Sequence, residues 1–178
     1  LCSLVKETVK VKDLKIDMPY IGLEHMPRKS ICLNEWSDAS TVNSNKFRFK
    51  ENDILFGKIR PYFHKVGFAI TNGVASTDAM VFRAKDDMFG LALMTAFSDL
   101  FIKHTSTACK EGAKMPRADW NEMKNYEVLI PAQSVLKEYD RQIQSLCSNI
   151  KVLCQQVKLL KQARDKLLPK LMRGEIEV

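Results

Sequence analysis

Apolar positions in the last third of the chain follow one rule. Leu136, Tyr139, Ile143, Leu146, Ile150, Leu153, Val157, Leu160 and Leu167 are spaced alternately by three and four residues, and only Arg164 puts a polar side chain on the stripe. That is the a/d pattern of a heptad helix held over more than four repeats. No Gly or Pro interrupts residues 132–168, so the spacing predicts one helix from an N-cap at Ser134 to a stop before Pro169, about 52 Å long at 1.5 Å per residue. A stripe this narrow suits a single partner helix. The plainer alternative is a long helix packed on its own domain. No second heptad segment exists in the chain, so a coiled-coil partner would be another copy, a further part of a longer chain or another protein.

Upstream of Pro131 the pattern changes to short apolar runs separated by turn residues. Asp17–Leu23 reads as a turn into a short strand, Asp53–Gly57 as a buried strand, and Ala79–Ala84 as another. Lys46–Lys50 alternates strictly, which predicts a strand with cations outward and Phe47 and Phe49 inward. In the run after Gly57, Lys58, Arg60, Tyr62 and His64 share one parity, Ile59 and Phe63 the other. A strand there would show a basic-aromatic face, and Pro61 would confine it to an edge or a bulge. Asp86–His104 suits one helix with Leu91, Leu93, Met94, Phe97, Leu100 and Phe101 on a broad apolar face, and Glu127–Ile130 a closing strand. The expected architecture is α+β: a mixed-sheet domain over residues 1–131, then a long helix and tail over 132–178.

The 178 residues are 46% hydrophobic and 28% charged, enough for one hydrophobic core. No run reaches the ~18 apolar residues of a membrane span, and the opening LCSLVKE is charged too soon for a signal peptide. A first residue that is Leu suggests a fragment or a chain whose start was removed. Cys2, Cys32, Cys109, Cys147 and Cys154 are odd in number and form no CxxC pair, which fits reduced thiols in a cytoplasm. Cys109 lies near Lys103, Lys110 and Lys114, which would favour its thiolate, but no base is placed beside it in sequence.

Charge sharpens the reading. The net charge of +7 is divided between 19 basic and 16 acidic side chains in residues 1–131 and 9 and 5 in 132–178. The surplus is densest in residues 46–67, where Lys46, Arg48, Lys50, Lys58, Arg60 and Lys65 face only Glu51 and Asp53, with Phe47, Phe49, Tyr62 and Phe63 between them. Lys110–Arg117 adds three more cations in a Gly/Pro loop. Such cations neutralise phosphates, and Arg also reads guanine, although solvated strand faces carry them too. Catalytic motifs are missing: no GxGxxG, phosphate-binding P-loop, HExxH or GxSxG occurs. Asp17-Met18-Pro19-Tyr20 is similar to the Asp-Pro-Pro-Tyr loop of amino-methyltransferases, but no glycine-rich cofactor loop accompanies it. His25, His64 and His104 are scattered without metal-ligand spacing.

The succession of short pieces carries a resemblance. Tyr20-Ile21-Gly22-Leu23-Glu24-His25 is followed by Asp53-Ile54-Leu55-Phe56-Gly57-Lys58-Ile59-Arg60-Pro61-Tyr62, then Ala75-Ser76-Thr77-Asp78, then the Gly112–Pro116 loop. Val128-Leu129-Ile130-Pro131 leads directly into the heptad helix, and the chain finishes on residues 164–176, Arg164-Asp165-Lys166-Leu167-Leu168-Pro169-Lys170-Leu171-Met172-Arg173-Gly174-Glu175-Ile176. Together they resemble one half of a specificity subunit of type I restriction–modification systems. Members of that family usually carry two target recognition domains, each followed by a helix, and the two helices pack antiparallel as a spacer between DNA half-sites. This chain departs from the pattern at Pro131-Ala132-Gln133-Ser134, which lacks the common Glu-Gln pair.

The resemblance implies a non-catalytic reader of double-stranded DNA with no cofactor of its own. It would dock the modification subunit, which uses S-adenosylmethionine, and in the full system the restriction subunit. Two copies paired through the seam would recreate the two-unit arrangement as a homodimer. The residues expected at DNA are Lys46, Arg48, Lys50, Lys58, Arg60, Tyr62, His64, Lys65, Lys114 and Arg117. The rival readings are a coiled-coil interaction protein without a DNA role and, further off, a methyltransferase fragment built on the Asp17–Tyr20 loop.

Overall fold

The computed structural model describes residues 1–109 and 115–175. Ten strands, β1 (Cys2–Val5), β2 (Thr8–Val9), β3 (Pro19–Ile21), β4 (Cys32–Leu33), β5 (Ser37–Asp38), β6 (Lys46–Phe49), β7 (Ile54–Gly57), β8 (Val66–Ala69), β9 (Gly73–Ala75) and β10 (Ala79–Ala84), form two five-stranded sheets. One runs β1-β10-β7-β8-β4, the other β2-β6-β9-β3-β5. Neighbours are antiparallel except β3 with β9 and β4 with β8. Helices α1 (Phe89–Phe97), α2 (Asp99–Thr107) and α3 (Trp120–Met123) follow, and α4 (Gln133–Met172) ends the chain. The α+β architecture is the one the sequence predicts.

Strand periodicity sorts the core. Leu55, Ala69, Ala79 and Val81 of the first sheet pack against Ile21, Phe49 and Ala75 of the second, so the main core lies between the sheets. The intervening residues of the first sheet point the other way, where Phe56 meets Phe101, Phe68 meets Phe89 and Phe82 meets Trp120 at ring separations of 6.0, 6.3 and 5.1 Å. Helices therefore cover that face, and β7 is buried on both sides, as its unbroken apolar run requires. Asp53 is buried beside it, where it accepts two hydrogen bonds from Arg83 (2.8 and 2.6 Å) and one from the Lys50 N–H (2.7 Å). Gly73 has no room for a side chain, since a Cβ would lie 2.3 Å from the Pro19 carbonyl oxygen on the neighbouring strand.

Four local expectations are corrected. The stretch 86–104 is two helices, because Ser98 is extended and starts a second one: its Oγ accepts from the Phe101 N–H at 3.1 Å and donates to Thr95 O at 2.8 Å. The break lets Phe89 and Leu93, then Phe101 and Ile102, all be buried. Glu127–Ile130 joins neither sheet, and Leu129 and Ile130 are exposed. Helix α4 begins one residue before Ser134, where the Ala132 carbonyl accepts the first bond from Leu136 at 3.0 Å. It also continues past Pro169, where the missing N–H forfeits only one bond, and ends at Met172, with Gly174 two residues further on in the left-handed region (φ 69°). There Glu175 donates to Lys170 O and Gly174 to Leu171 O, both at 3.0 Å, a Schellman cap.

By its internal contacts the chain divides into two units, Leu1–Gln144 and Ser145–Val178. The first turns of α4 belong to the globular unit. Leu136 is fully buried, and buried Asp140 accepts the Gly90 N–H at 2.6 Å, supplying the cap that Met88 cannot give α1. In the second unit Leu146, Leu153, Val157, Leu160 and Leu167 of the heptad stripe are exposed.

Candidate nucleic-acid interface

Beyond Gly57 the chain leaves the sheet. Arg60 and His64 are both left-handed (φ 50° and 52°) and bracket a single 3-10 turn, Pro61–Phe63, closed by Phe63 N–H to Arg60 O at 2.8 Å. The expected strand over 58–64 is thus corrected. Pro61, with its fixed φ and no N–H, suits the first position of a helical turn better than a ladder. Alternation fails with it: Tyr62 is 54% exposed, while His64, two residues on, is 4% exposed.

What replaces the strand is a three-segment hub. Lys58 N–H donates to Asp78 O (2.8 Å), Ala118 N–H to Lys58 O (2.9 Å) and Arg60 N–H to Pro116 O (2.8 Å), with a β-bridge between Ile59 and Arg117. The backbones of three residues expected at DNA meet here. Lys58 Nζ donates to Thr77 O at 3.1 Å, and Arg117, 59% exposed on its side chain, lies 3.6 Å from Asp78. Arg60 joins through its backbone N–H, and its guanidinium lies over the Phe63 ring, 5.8 Å from the centroid. Lys58 and Arg117 also line a groove of about 700 Å³, together with Lys6, Thr8, Phe47 and Asn121.

The other expected residues are dispersed. Arg48 is paired with Glu7 at 2.6 Å and, with Lys50, Lys15 and Asn72, lines a second groove of about 590 Å³. Lys46 is buried rather than outward. Its Nζ donates to Ser44 Oγ at 2.5 Å and lies 5.6 Å from the Tyr20 ring centroid, and burial pushes its pKa down. Lys65 donates to the Leu23 carbonyl at 2.5 Å. His64 stacks edge-on against Phe97 and puts Nδ1 3.3 Å from Asp99 without hydrogen-bond alignment. Lys114 lies outside the described residues, as do Lys110 and Gly112.

Contributors that the cation pattern overlooked are Lys6, Asp78 and Asn121. Only Asp78 had a signal, the Ser76-Thr77-Asp78 turn. Asp17–Tyr20 is a turn that leads into β3: Asp17 is left-handed (φ 66°) and its N–H donates to Asp38, whose carboxyl is held below its usual range by hydrogen bonds from Ser40 and then from Asp17. Cys109 is no activated thiolate, since burial pushes its pKa up and Sγ donates to Thr105 O. Among the described residues no group of three His, Cys, Asp or Glu side chains is placed to hold a metal, and no helix is long and apolar enough to cross a membrane.

Paired sheets, cation-lined grooves and a heptad helix are the build of a binding module. The chain belongs to the type I restriction modification DNA specificity domain family, whose model matches residues 5–152. It is similar to the type I restriction enzyme MjaIX specificity subunit of Methanocaldococcus jannaschii, at 23% identity over an alignment of 171 positions, which covers 90% of this chain and 38% of that protein. Its fold is similar to the crystal structure of the HsdS subunit from Thermoanaerobacter tengcongensis, with a TM-score of 0.58 at 14% identity, covering 94% of this chain and 47% of that one. A chain from a study of complex assembly and conformational transition in the type I R-M system gives a TM-score of 0.54 at 15% identity, covering 97% and 49%. The chain spans half or less of the length of each of these relatives.

Proposed function

We propose that this chain is a sequence-reading subunit of a type I restriction–modification assembly and that it recognises one half of a bipartite double-stranded DNA target. The recognition part is residues 1–131, and the helical part, 132–178, sets spacing and pairs with a second copy. The modification subunit, docked on this chain, would carry out methylation inside the cell, and the restriction subunit cleavage.

The observation that carries the reading is that Lys58 and Arg117, bonded through the backbone into one hub with Arg60, line one open groove in a chain of the specificity family. We assign Lys58, Arg60 and Arg117 to phosphate anchoring and base reading, with Arg48, Lys50, Tyr62 and Lys114 flanking. Lys46, His64 and Lys65 are turned inward and act by positioning. The exposed stripe from Leu146 to Leu167 supports self-association through the helix.

Filter binding of the full chain to mixed-sequence duplexes at low and high salt tests the function. A DNA reader loses affinity steeply with salt and enriches one sequence from a random pool. A coiled-coil interaction protein does neither.

A further inference from the structure

The chain has eight arginines, and six of them face a carboxylate within ion-pair distance: Arg48, Arg83, Arg117, Arg141, Arg164 and Arg173. The other two, Arg28 and Arg60, face none among the described residues and share one aromatic ring. The Arg28 guanidinium carbon lies 3.8 Å from the Phe63 ring centroid and that of Arg60 5.8 Å, so the two charges sit within about a Debye length of each other. The Arg60 Nε is shielded and makes no hydrogen bond.

The backbone around the ring is held in uncommon geometry. Three of the non-glycine residues with positive φ, Lys29, Arg60 and His64, lie in this corner, and Lys29 N–H donates to His64 O at 3.0 Å. The neighbouring charge of Lys29 is answered by Asp99 at 3.2 Å, whose carboxyl Lys29 holds below its usual range. Tyr62, exposed, meets Phe63 edge-on at 5.0 Å. A strained corner therefore holds two guanidinium groups on one ring, neither within ion-pair distance of a carboxylate among the described residues. An anion would answer both charges.

We propose that Arg28 and Arg60, set on Phe63, clamp one backbone phosphate of duplex DNA. The clamp rests on the DNA-reading function above and adds Arg28 to the contact surface, outside the basic stretch of 46–67. Guanidinium planes stacked on a ring lose little freedom when their N–H forks meet a phosphate, and a phosphate contact fixes register without carrying sequence information.

The test is the salt dependence of binding of the full chain to a labelled mixed-sequence duplex, with selection from a random pool in parallel. Arg28 is exposed, so Arg28→Ala tests the idea without disturbing the left-handed backbone at Arg60. Arg28→Ala and Arg60→Ala should each weaken binding about tenfold. Because they share one phosphate, each single variant should keep most of the log–log salt slope, and the double variant should lower it by about one. Arg28→Lys should keep the slope and lose part of the affinity. An unchanged slope and affinity in Arg28→Ala, with the native protein still steeply salt-dependent, overturns the clamp. So does a changed selected sequence, which would make these residues base readers. A native protein without salt-dependent binding overturns instead the function on which the clamp rests.

Discussion

At the scale of single residues, exposure and pairing decide which cations remain for a ligand. Arg117 is held by a β-bridge yet exposed, and its 3.6 Å separation from Asp78 is a loose pairing that a nucleic acid can replace. Arg117→Ala should weaken specific DNA binding by about 1–3 kcal/mol if its contact is bidentate to guanine, with unchanged thermal stability. Competition binding against the selected sequence measures it, and equal affinity would remove Arg117 from the site. Residue types in the basic stretch were legible in the sequence, but their directions were not. Lys46 and Arg48 share a strand face, yet Lys46 is buried by its surroundings and Arg48 is not, because burial depends on what the fold packs over each. Arg28 carried no signal at all: its partner ring is 35 residues away in sequence.

A second prediction at this scale concerns pH. Two hydrogen bonds from Arg141 (2.7 and 3.0 Å) and one from Gln142 (2.8 Å) lower the Glu138 pKa from 4.5 to about 2. A carboxyl with a depressed folded-state pKa adds stability that is present above its ordinary value and lost as pH falls towards 2. The far-UV helical signal of the native protein should therefore decline more between pH 4.5 and 2 than that of Glu138→Gln. Parallel titrations would contradict the assignment.

At the scale of elements, periodicity told most of the story where one face of a segment meets one partner. β7 and β10 were readable because a short continuous apolar run suits a strand buried on both faces. The loop 58–64 was misread as strand because alternation is shared by chance among a handful of residues, while the left-handed corners at Arg60 and His64 are dictated by tertiary bonds to Pro116 and Lys29. The root of α4 shows the same effect. Its heptad stripe gave no hint that Asp140, beside the seam, would cap α1 through Gly90, where a Cβ would come within 2.9 Å of Ile143. Asp140→Ala should cost about 1–3 kcal/mol in denaturant unfolding, because a buried N–H loses its acceptor, with Asp140→Asn less damaging. No change in either variant would mean that the cap carries no stability.

At the scale of the whole molecule, α4 is divided. Its first turns complete the globular unit, and the heptad stripe of residues 146–167, to which we assign self-association, lies largely exposed. The sequence made the stripe plain but not this division, which depends on how much of the helix the globule covers. Leu153→Glu with Leu160→Glu should convert a concentration-dependent dimer into a monomer in sedimentation equilibrium, with the globular unit still folded. A native chain that stays monomeric at every concentration would refute self-association.

Co-expression with the modification subunit, followed by mapping of methylated bases, tests the central claim most directly. A homodimer of identical readers predicts methylation confined to one bipartite sequence, two inverted copies of a half-site separated by a fixed gap, and lost or relaxed with Arg117→Ala. Methylation that is absent, or spread without sequence preference, or unaltered when this chain is left out, would contradict it.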